Sequence, residues 1–316
     1  MRSWNLKTDK GLKGELLGFW EEVKKKDLGL LLKHRLGGFL YYQEKRPELY
    51  SEWKQQWIQN QILVKEMESL FHDFTPKPIF LKGLALVTEV YPDLGTRFFS
   101  DVDILIEKPF LSSLIDFLEQ KGYVQIKDFK WYGNQYKTLL QKDSITLEVH
   151  TQLFFHETNH SKWPTCFHKG TRCRQLTPEA QLVHLAGHVA FQHNFLYLHW
   201  LLDIHLLLQK KELCWEKVWS LAKDKKVLRS LKAVLWVLKH YFKTPIPQEI
   251  MIGSRGERWI FSKILVSDFL WGDQKDMRYF FLKHFLKDSF LLSLKYDWLW
   301  WMHHAKRPRN ENCHCG

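Results

Sequence analysis

Residues 97–106 have the sequence RFFSDVDILI. From residue 101 onward, acids alternate with aliphatic residues, a pattern that predicts a β-strand. Because alternate side chains of a strand point to the same face, Asp101 and Asp103 project together, while Val102 and Ile104 face the core. Two carboxylates on one face repel each other unless a cation or water screens them. Magnesium (Mg2+) takes oxygen ligands and shares them with substrate phosphates. We therefore expect a metal site here; an edge strand with solvated acids is the simpler alternative.

A second strand supplies a third acid. Residues 145–150, ITLEVH, alternate apolar and polar side chains, so that Thr146, Glu148 and His150 share one face. If this strand lies beside the one that begins at Asp101, Glu148 reaches the same ions. Two metal ions about 4 Å apart stabilise both oxygens of an in-line displacement. His150 could support such a site as a hydrogen-bond donor to a metal ligand, or it could contact substrate.

The segment before these acids carries features of a phosphate-binding loop. A short apolar run at residues 79–81 is followed by Lys82 and Gly83 and then by a helical stretch. Glycine permits close approach of the backbone to a ligand, and the start of a helix attracts phosphate. Lys82 adds a positive charge. Arg97, four residues before the first acid, could clamp a phosphate with two hydrogen bonds.

The periodicity divides the chain into four parts. Residues 1–74 show helical spacing, residues 75–160 read as a compact α/β unit with a mixed sheet, residues 161–304 return to helical spacing, and residues 305–316 form a predicted flexible tail. In the second part we predict strands at residues 79–81, 101–106, 123–126, 136–140 and 145–150, and helices at residues 84–90 and 110–120.

Composition limits the class of protein. The chain has 316 residues, of which 45% are apolar and 26% charged, as is usual for a folded protein. Its formal net charge of +12 favours partners that carry phosphate: nucleotides, nucleic acid or anionic lipid. Five cysteines do not suggest a disulfide scaffold. Neither a signal peptide nor a membrane span is recognisable, so we expect a cytoplasmic protein.

The helical part contains three features with two interpretations each. His184 and His188 share a helical face; they could bind zinc, but packing or lining of a nucleotide cleft is favoured. Asp203 lies in an apolar helix, where a buried acid needs a partner; it either pairs with a cation or backbone N–H, or orients the acceptor or the base. Residues 279–301 are rich in Phe, Leu and Trp with interspersed Lys. They fit a helix that closes the C-terminal core, which we favour, or an interfacial membrane helix.

The order of the motifs resembles a known family. Lys82-Gly83 is followed by Tyr91-Pro92, Gly95-Thr96-Arg97, Ser100-Asp101-Val102-Asp103-Ile104-Leu105, Gly122-Tyr123 and Leu147-Glu148-Val149-His150. This order is similar to that of the uncharacterised bacterial nucleotidyltransferase family of the DNA polymerase β-like superfamily. The resemblance covers roughly residues 77 to 225, more weakly around residues 184–188 and 200–204.

The resemblance implies an α+β fold: a polymerase-β-like core, with a mixed sheet and flanking helices, between an N-terminal helical segment and a C-terminal all-helical region. It also implies a nucleotidyltransferase that moves a nucleoside monophosphate from a nucleoside triphosphate, most simply ATP, to an unknown acceptor and releases pyrophosphate. A small molecule or peptide is the preferred acceptor, and magnesium or manganese the expected cofactor.

Residue roles follow from the same resemblance. Asp101, Asp103 and Glu148 are the expected catalytic and metal-binding residues. The residues expected to bind the nucleotide are Lys82, Gly83, Arg97 and Ser100. His150 and Asp203 are candidates for a supporting shell around the ligands. One departure is that most superfamily members have Gly-Gly or Gly-Ser where this chain has Lys82-Gly83.

Two other classes of function stay open at this point. The chain could be a non-catalytic nucleotide-binding or regulatory protein on the same fold, such as a partner in a toxin–antitoxin pair, although three intact acids argue against lost turnover. It could also be a nucleic-acid-binding protein in which the net charge of +12 is the main feature. No recognised RNA-binding module is present, but nucleic acid is not excluded.

Overall fold

The structure is a computed structural model, and it describes residues 21–131, 134–157, 162–168, 173–250, 252–272 and 277–305. Most of the predicted tail, residues 306–316, and the first twenty residues of the predicted N-terminal helical part lie outside the described residues. Within the described ranges the chain is α+β, with a mixed sheet between N-terminal and C-terminal helices, which confirms the predicted fold class.

Seven strands form one sheet in the order β3-β4-β5-β2-β1-β7-β6. The strands are β1 Ile79–Phe80, β2 Asp101–Leu105, β3 Val124–Trp131, β4 Asn134–Lys142, β5 Ile145–His150, β6 Thr165–Phe167 and β7 Arg174–Leu176. The pairs β2–β5 and β1–β7 are parallel, and the other neighbouring pairs are antiparallel. The two strands that the acid pattern predicted, β2 and β5, are parallel neighbours in the middle of this sheet.

The two faces of the sheet have different neighbours. Val102 and Ile104 of β2, with Leu147 and Val149 of β5, are fully buried in a core that also contains residues of two helices, α3 Tyr50–Leu70 and α5 Leu111–Gln120. On the opposite face, Leu105 belongs to a second and larger core, which joins the N-terminal helices to the C-terminal ones. The acids of β2 and β5 alternate with the buried aliphatic residues, so they lie on this second face.

Among the described residues, two short helices precede α3: α1 Leu28–Lys33 and α2 Gly37–Glu44. Helix α3 then holds the loop that leads into β2. Asn60 of α3 donates hydrogen bonds from Nδ2 to the carbonyl oxygens of Leu94 at 2.7 Å and Arg97 at 2.8 Å. Trp53 donates from Nε1 to Asp93 Oδ1 at 2.8 Å. The backbone just before the acids is thus fixed by polar side chains of a long helix.

The short helix α4, Lys82–Val87, follows β1 directly and connects it to this loop. We predicted this helix at residues 84–90, so it begins two residues earlier and ends three residues earlier than expected. All its residues from Gly83 to Val87 are buried, because the helix packs between the two cores. The predicted helix over residues 110–120 is present as α5.

The C-terminal part begins with α6 Pro178–Ala186, capped by Thr177, whose Oγ1 accepts from the backbone N–H of Ala180. It continues without a break as a π-helix over Gly187–Gln192. The remaining helices are α7 His199–Lys210, α8 Trp215–Asp224, α9 Leu228–His240, α10 Arg255–Ile264, α11 Ser267–Trp271, α12 Met277–Phe285 and α13 Phe290–Ala305. Over the described ranges, none of the helices has the length and apolarity needed to cross a bilayer.

One difference concerns where the sheet ends. Residues 161–304 were predicted to be helical, yet β6 and β7 lie at the start of this segment and extend the sheet beyond β1. Each of these strands has three residues, which is too short for a two-residue alternation to be recognised. The α/β unit therefore reaches Leu176, about sixteen residues further than residue 160.

Candidate active site

The register of β2 and β5 brings two acids side by side. Asp103 is the neighbour of Glu148, and Asp101 is the neighbour of Thr146. His150 lies at the end of β5, and its Nε2 is 2.9 Å from Asp103 Oδ1 and 3.1 Å from Glu148 Oε2. Asp103, Glu148 and His150 form a group whose ligand atoms all lie within 4.8 Å of one another, and no other group of this kind occurs among the described residues.

Two lysines complete this cluster. Lys82 Nζ donates to Asp103 Oδ1 at 2.6 Å, and Lys137 Nζ of β4 donates to Glu148 Oε1. Their side chains are 16% and 20% exposed, so both ion pairs are shielded from bulk water without being closed off from it. We call Asp101, Asp103, Glu148, His150 and the two lysines the acid cluster. Each carboxylate of the Asp103–Glu148 pair therefore has its own cation.

The charges within the acid cluster shift its pKa values. Burial would raise the pKa of Glu148, but the hydrogen bond and charge of His150, with the charges of Lys82 and Lys137, hold it far below its ordinary value. Burial would lower the pKa of His150, but its contacts with Asp103 and Glu148 raise it. The histidine and Glu148 therefore behave as an ion pair.

Asp101 is the acid with the least compensation. Burial raises its pKa, and so do the neighbouring charges of Asp103 and Glu148, while Lys82 and Lys137 offset this only partly. Ser100 Oγ lies 3.4 Å from Asp101 Oδ1. A carboxylate whose ionised form is disfavoured by two neighbouring acids gains most from an added cation.

The phosphate-loop prediction is only partly reflected in the geometry. Lys82 has a positive φ of 44°, a conformation that is uncommon for a non-glycine residue and concentrates at functional sites. This backbone turns its side chain to Asp103. Gly83 has a packing role: a Cβ there would lie 2.7 Å from Cγ of Phe99. Its glycine is required because the helix packs against that ring.

Arg97 was expected to bind a phosphate, and the structure places it elsewhere. Its Nε and Nη2 donate to the two carboxylate oxygens of Asp203 of α7 at 2.6 and 2.8 Å, and both side chains are almost fully buried. Tyr91 adds a hydrogen bond from its hydroxyl to Asp203 Oδ1 at 2.5 Å. Arg97 is thus the partner that a buried Asp203 requires, and its Nε and Nη2 are already used in this pair. The pair accounts for both residues without a ligand, and the phosphate clamp and the role of Asp203 in supporting the ligands stay predictions.

Three histidines in and around the π-helix lie near the acid cluster: His184 at the end of α6, His188 in the π-helix and His193 directly after it. Burial, and next the charge of Lys82, hold the pKa of His184 and of His188 well below the ordinary value. The pKa of His193 is lowered to about 4 by burial and then by Lys82 and Lys137, against the charges of Glu148 and Asp103. These three rings are therefore neutral at physiological pH. The burial of His184 and His188 and their closeness to a lysine favour packing or lining of a cleft over the zinc alternative.

Contacts with the segment after β5 hold the π-helix, and with it the histidines, in place. Gln192 donates from Nε2 to the carbonyl oxygen of Leu153 at 2.9 Å, and Gly187 lies so close to Phe154 that an added Cβ would be 2.3 Å from its Cζ. The ring of Trp200 then lies 4.7 Å from that of His188 and 4.9 Å from that of His193. One π-helix and the start of α7 therefore form an aromatic wall above the strand that carries Glu148.

The donor set fits a divalent cation. Two carboxylates and an imidazole nitrogen lie within 4.8 Å of one another, and a fourth ligand, Asp101, has a pKa raised by the acids beside it. Carboxylate oxygens are the ligands that magnesium and manganese prefer, and imidazole suits manganese better than magnesium. The cluster could therefore hold one or more such ions if its lysines moved aside.

A mixed sheet that presents acids from two adjacent strands beside a lysine is consistent with a nucleotidyltransferase core. A family model described as an uncharacterised nucleotidyltransferase matches residues 28–243. Because this match covers more than half of the chain, the chain belongs to that family. No curated protein shows a significant match to the chain.

Two members of the site were missed at the level of sequence. Lys137 was not singled out, although the hairpin of β4 and β5 places it opposite His150. The strand has the sequence NQYKTLLQK, in which nothing distinguishes this lysine from the other polar residues. His193 follows the π-helix, and no helical spacing relates it to His184 and His188. The family match also begins at residue 28, so the N-terminal helices belong to the matched unit.

Proposed function

We propose that the chain is a metal-dependent nucleotidyltransferase that moves a nucleoside monophosphate from a nucleoside triphosphate to an acceptor and releases pyrophosphate. The observation that carries this proposal is the pairing of Asp103 with Glu148 across two parallel strands, with Asp101 on the same face and Lys82 beside them. The membership in a nucleotidyltransferase family supports it independently.

Asp101, Asp103 and Glu148 would hold magnesium or manganese, with His150 beside them. When bound, such ions neutralise phosphate oxygens and favour in-line displacement at phosphorus. In the structure, Lys82, Lys137 and His150 occupy the positions of positive charge around the carboxylates. These three groups lower the pKa of Glu148 and so favour its ionised form, which is the form that binds a cation.

Lys82 is the residue that we assign to the triphosphate. Its Nζ already lies at the acid cluster, 2.6 Å from Asp103, and a long flexible side chain lets the ammonium move from a carboxylate to a phosphate oxygen. Ser100, exposed at the start of β2 beside Asp101, is the second group within reach of the nucleotide. Gly83 and Arg97 have the packing roles described above, so we do not assign them to the nucleotide.

The aromatic wall of the π-helix and α7 would form one side of the acceptor cleft. Its histidines are neutral, so they can exchange hydrogen bonds with a hydroxyl or amide without repelling the cations of the acid cluster. His188 has a hydrogen-bond partner of its own in Gln192, at 3.1 Å. Such a surface suits an uncharged part of a small molecule or peptide better than a nucleic-acid backbone, which would call for lysine and arginine.

Transfer of label decides which group is moved. The protein would be incubated with magnesium and with triphosphate labelled at the α or at the γ phosphorus, in a lysate of the organism that makes it. We expect the α label to appear on a new species and the γ label to leave as pyrophosphate. Asp103→Asn is the matched control, since it removes a cluster carboxylate while preserving the volume of the side chain.

Other outcomes would contradict the proposal in different ways. Retention of the γ label alone on a new species would mean phosphoryl transfer, a kinase reaction on this fold. Absence of both transfers, despite metal-dependent binding of triphosphate, would favour a regulatory nucleotide-binding protein. Equal transfer by Asp103→Asn and the unaltered protein would mean that the acid cluster is not the site of the reaction.

A further inference from the structure

The last two helices expose a large amount of apolar surface. Eight large apolar side chains on α12 and α13 are between 46% and 78% exposed: Met277, Phe280, Phe281, Phe290, Leu291, Leu294, Trp298 and Trp301. They account for a large part of all such residues that the described part of the chain exposes. We call these eight residues the C-terminal apolar face. It lies beyond residue 243, outside the region that the family model matches.

The exposed residues are arranged by helical period. At 100° per residue, Phe290, Leu291, Leu294, Trp298 and Trp301 fall within one stripe of about 100° along α13. Ser293, on the other side of the helix, is fully buried and hydrogen-bonded to His284 of α12 at 2.6 Å. Helix α12 buries Leu282 and the hairpin buries Leu286, while α12 exposes Phe280 and Phe281. The expected core-closing role therefore applies to one side of each helix only.

The charges around this face have one dominant sign. Residues 277–309 contain seven Lys or Arg residues and two acids. The acids and most of the described cations are used internally: Asp288 accepts from the backbone N–H groups of Leu228 and Arg229. Asp297 pairs with Lys283 at 2.6 Å, Arg278 pairs with Asp268, and Lys287 is buried. Lys295 is exposed at the margin of the stripe. In the sequence, Lys306, Arg307 and Arg309 directly follow α13.

We propose that the C-terminal apolar face binds the surface of an anionic lipid bilayer. Phe, Leu and Trp would enter the boundary between headgroups and acyl chains, with α13 parallel to the membrane plane, while Lys295 contacts anionic headgroups. The basic charge of Lys306, Arg307 and Arg309 in the sequence adds to the attraction. Binding of an amphipathic helix to a membrane strengthens with the apolar area that it buries and with its attraction to anionic lipids, and this segment contributes to both.

A bilayer fits this face better than a second copy of the chain. An interface between two copies would bring the basic residues of one chain against those of the other, which costs energy because like charges repel. Lysine is also depleted in protein interfaces. An anionic surface, in contrast, is attracted by the same residues, and the net charge of +12 adds long-range attraction.

Vesicle flotation tests the proposal with the full-length protein. We expect binding to vesicles of equal parts phosphatidylglycerol and phosphatidylcholine at low salt, and at least tenfold weaker binding to pure phosphatidylcholine. The double variant Leu291→Ser/Trp298→Ser should bind the anionic vesicles at least about tenfold more weakly, because it lacks two apolar side chains that the membrane would bury. The affinity of the triple variant Lys306→Glu/Arg307→Glu/Arg309→Glu for anionic vesicles should fall by a similar factor, because each basic residue near an anionic surface adds to the attraction.

A matched control lies on another exposed apolar surface. Ile58 and Ile62 of α3 are 45% and 55% exposed, and Ile58→Ser/Ile62→Ser should bind vesicles as well as the unaltered protein. Circular dichroism checks that each variant is folded. Any of three results would overturn the proposal: no binding by the unaltered protein, equal binding by all variants, or a dimer in light scattering that Leu291→Ser/Trp298→Ser converts to monomer.

Discussion

Lys82 combines three properties that are seldom found in one residue. Its backbone has a positive φ of 44°, its ammonium is paired with Asp103, and its charge contributes to the lowered pKa of Glu148 and of three histidines. Burial would lower the pKa of Lys82, but Asp103, Glu148 and Asp101 raise it above its usual value. The lysine therefore stays charged, which is what binding of phosphate requires.

Replacing Lys82 should weaken the binding of a nucleoside triphosphate more than that of a monophosphate. We expect Lys82→Ala to weaken triphosphate binding by about 10-fold or more, since a charge-assisted hydrogen bond contributes about 1.5–3 kcal/mol, and to weaken monophosphate binding less. Calorimetric titration with non-hydrolysable nucleotides measures both. Lys142→Ala, on β4 but paired with Glu66, is the control and should leave both affinities unchanged. An equal loss for the two nucleotides would mean that Lys82 does not contact the outer phosphates.

The elements show what local sequence determines and what it does not. Strands β2 and β5 were predictable because each alternates buried aliphatic residues with polar ones. The position of Lys137 beside Glu148 was not predictable, because it depends on the register of the hairpin that β4 forms with β5. Strands β6 and β7 are too short for any period. The π-helix has no sequence signal of its own.

Arg97 shows why a residue type does not determine its role. An arginine between a turn that contains a glycine and an acidic strand matches a phosphate clamp, but α7 brings Asp203 to it from more than a hundred residues away. Sequence separation of this size is invisible to local patterns. What was predictable was that a buried Asp203 needs a cation or donor, and the structure supplies Arg97 and Tyr91.

The pair of Arg97 and Asp203 should stabilise the connection between the loop before β2 and α7. We expect Arg97→Met to lower the free energy of unfolding by about 3–5 kcal/mol, because it leaves a buried carboxylate unpaired. The double variant Arg97→Met/Asp203→Leu should lose much less. Urea denaturation measures both. If the folded double variant bound triphosphate ten times more weakly than the unaltered protein, Arg97 would be a phosphate ligand after all.

The molecule is held together by a core that joins its ends. Residues of α1 and α2 share the larger core with residues of the C-terminal helices as far as Leu286. Next to that core lies Lys287, which is 1% exposed. Its Nζ lies 4.9 Å from the ring centre of Phe191 of the π-helix and 4.7 Å from that of Tyr296, and it donates to the carbonyl oxygen of Lys283 at 2.6 Å. The C-terminal hairpin thus meets the π-helix at a buried cation.

Lys287 should make stability depend on pH. Burial, helped by Lys283, lowers its pKa to about 8, so the folded state disfavours the charged form. Below pH 8 the cost is fully present; between pH 8 and the ordinary lysine pKa the folded state has released its proton while the unfolded state keeps it, and stability rises with pH. Lys287→Met should stabilise the protein by about 1–3 kcal/mol at pH 7, and the gain should shrink toward pH 10.

Thermal denaturation at several pH values measures this difference. The exposed Lys223→Met on α8 is the control and should change stability by less than about 0.5 kcal/mol at any pH. A Lys287→Met variant that is less stable at pH 7 would mean that the contacts of the ammonium with the two rings outweigh its burial.

Metal-dependent binding of triphosphate tests the acid cluster most directly. Calorimetry would compare the unaltered protein with Asp101→Asn, Asp103→Asn and Glu148→Gln, each with a non-hydrolysable triphosphate, in the presence and absence of magnesium or manganese. We predict that metal raises the affinity of the unaltered protein at least tenfold, and that each variant stays folded but loses this increase, because the carboxylates hold the ion that neutralises the phosphates. Equal affinity of all four proteins, with and without metal, would contradict the assignment of this site.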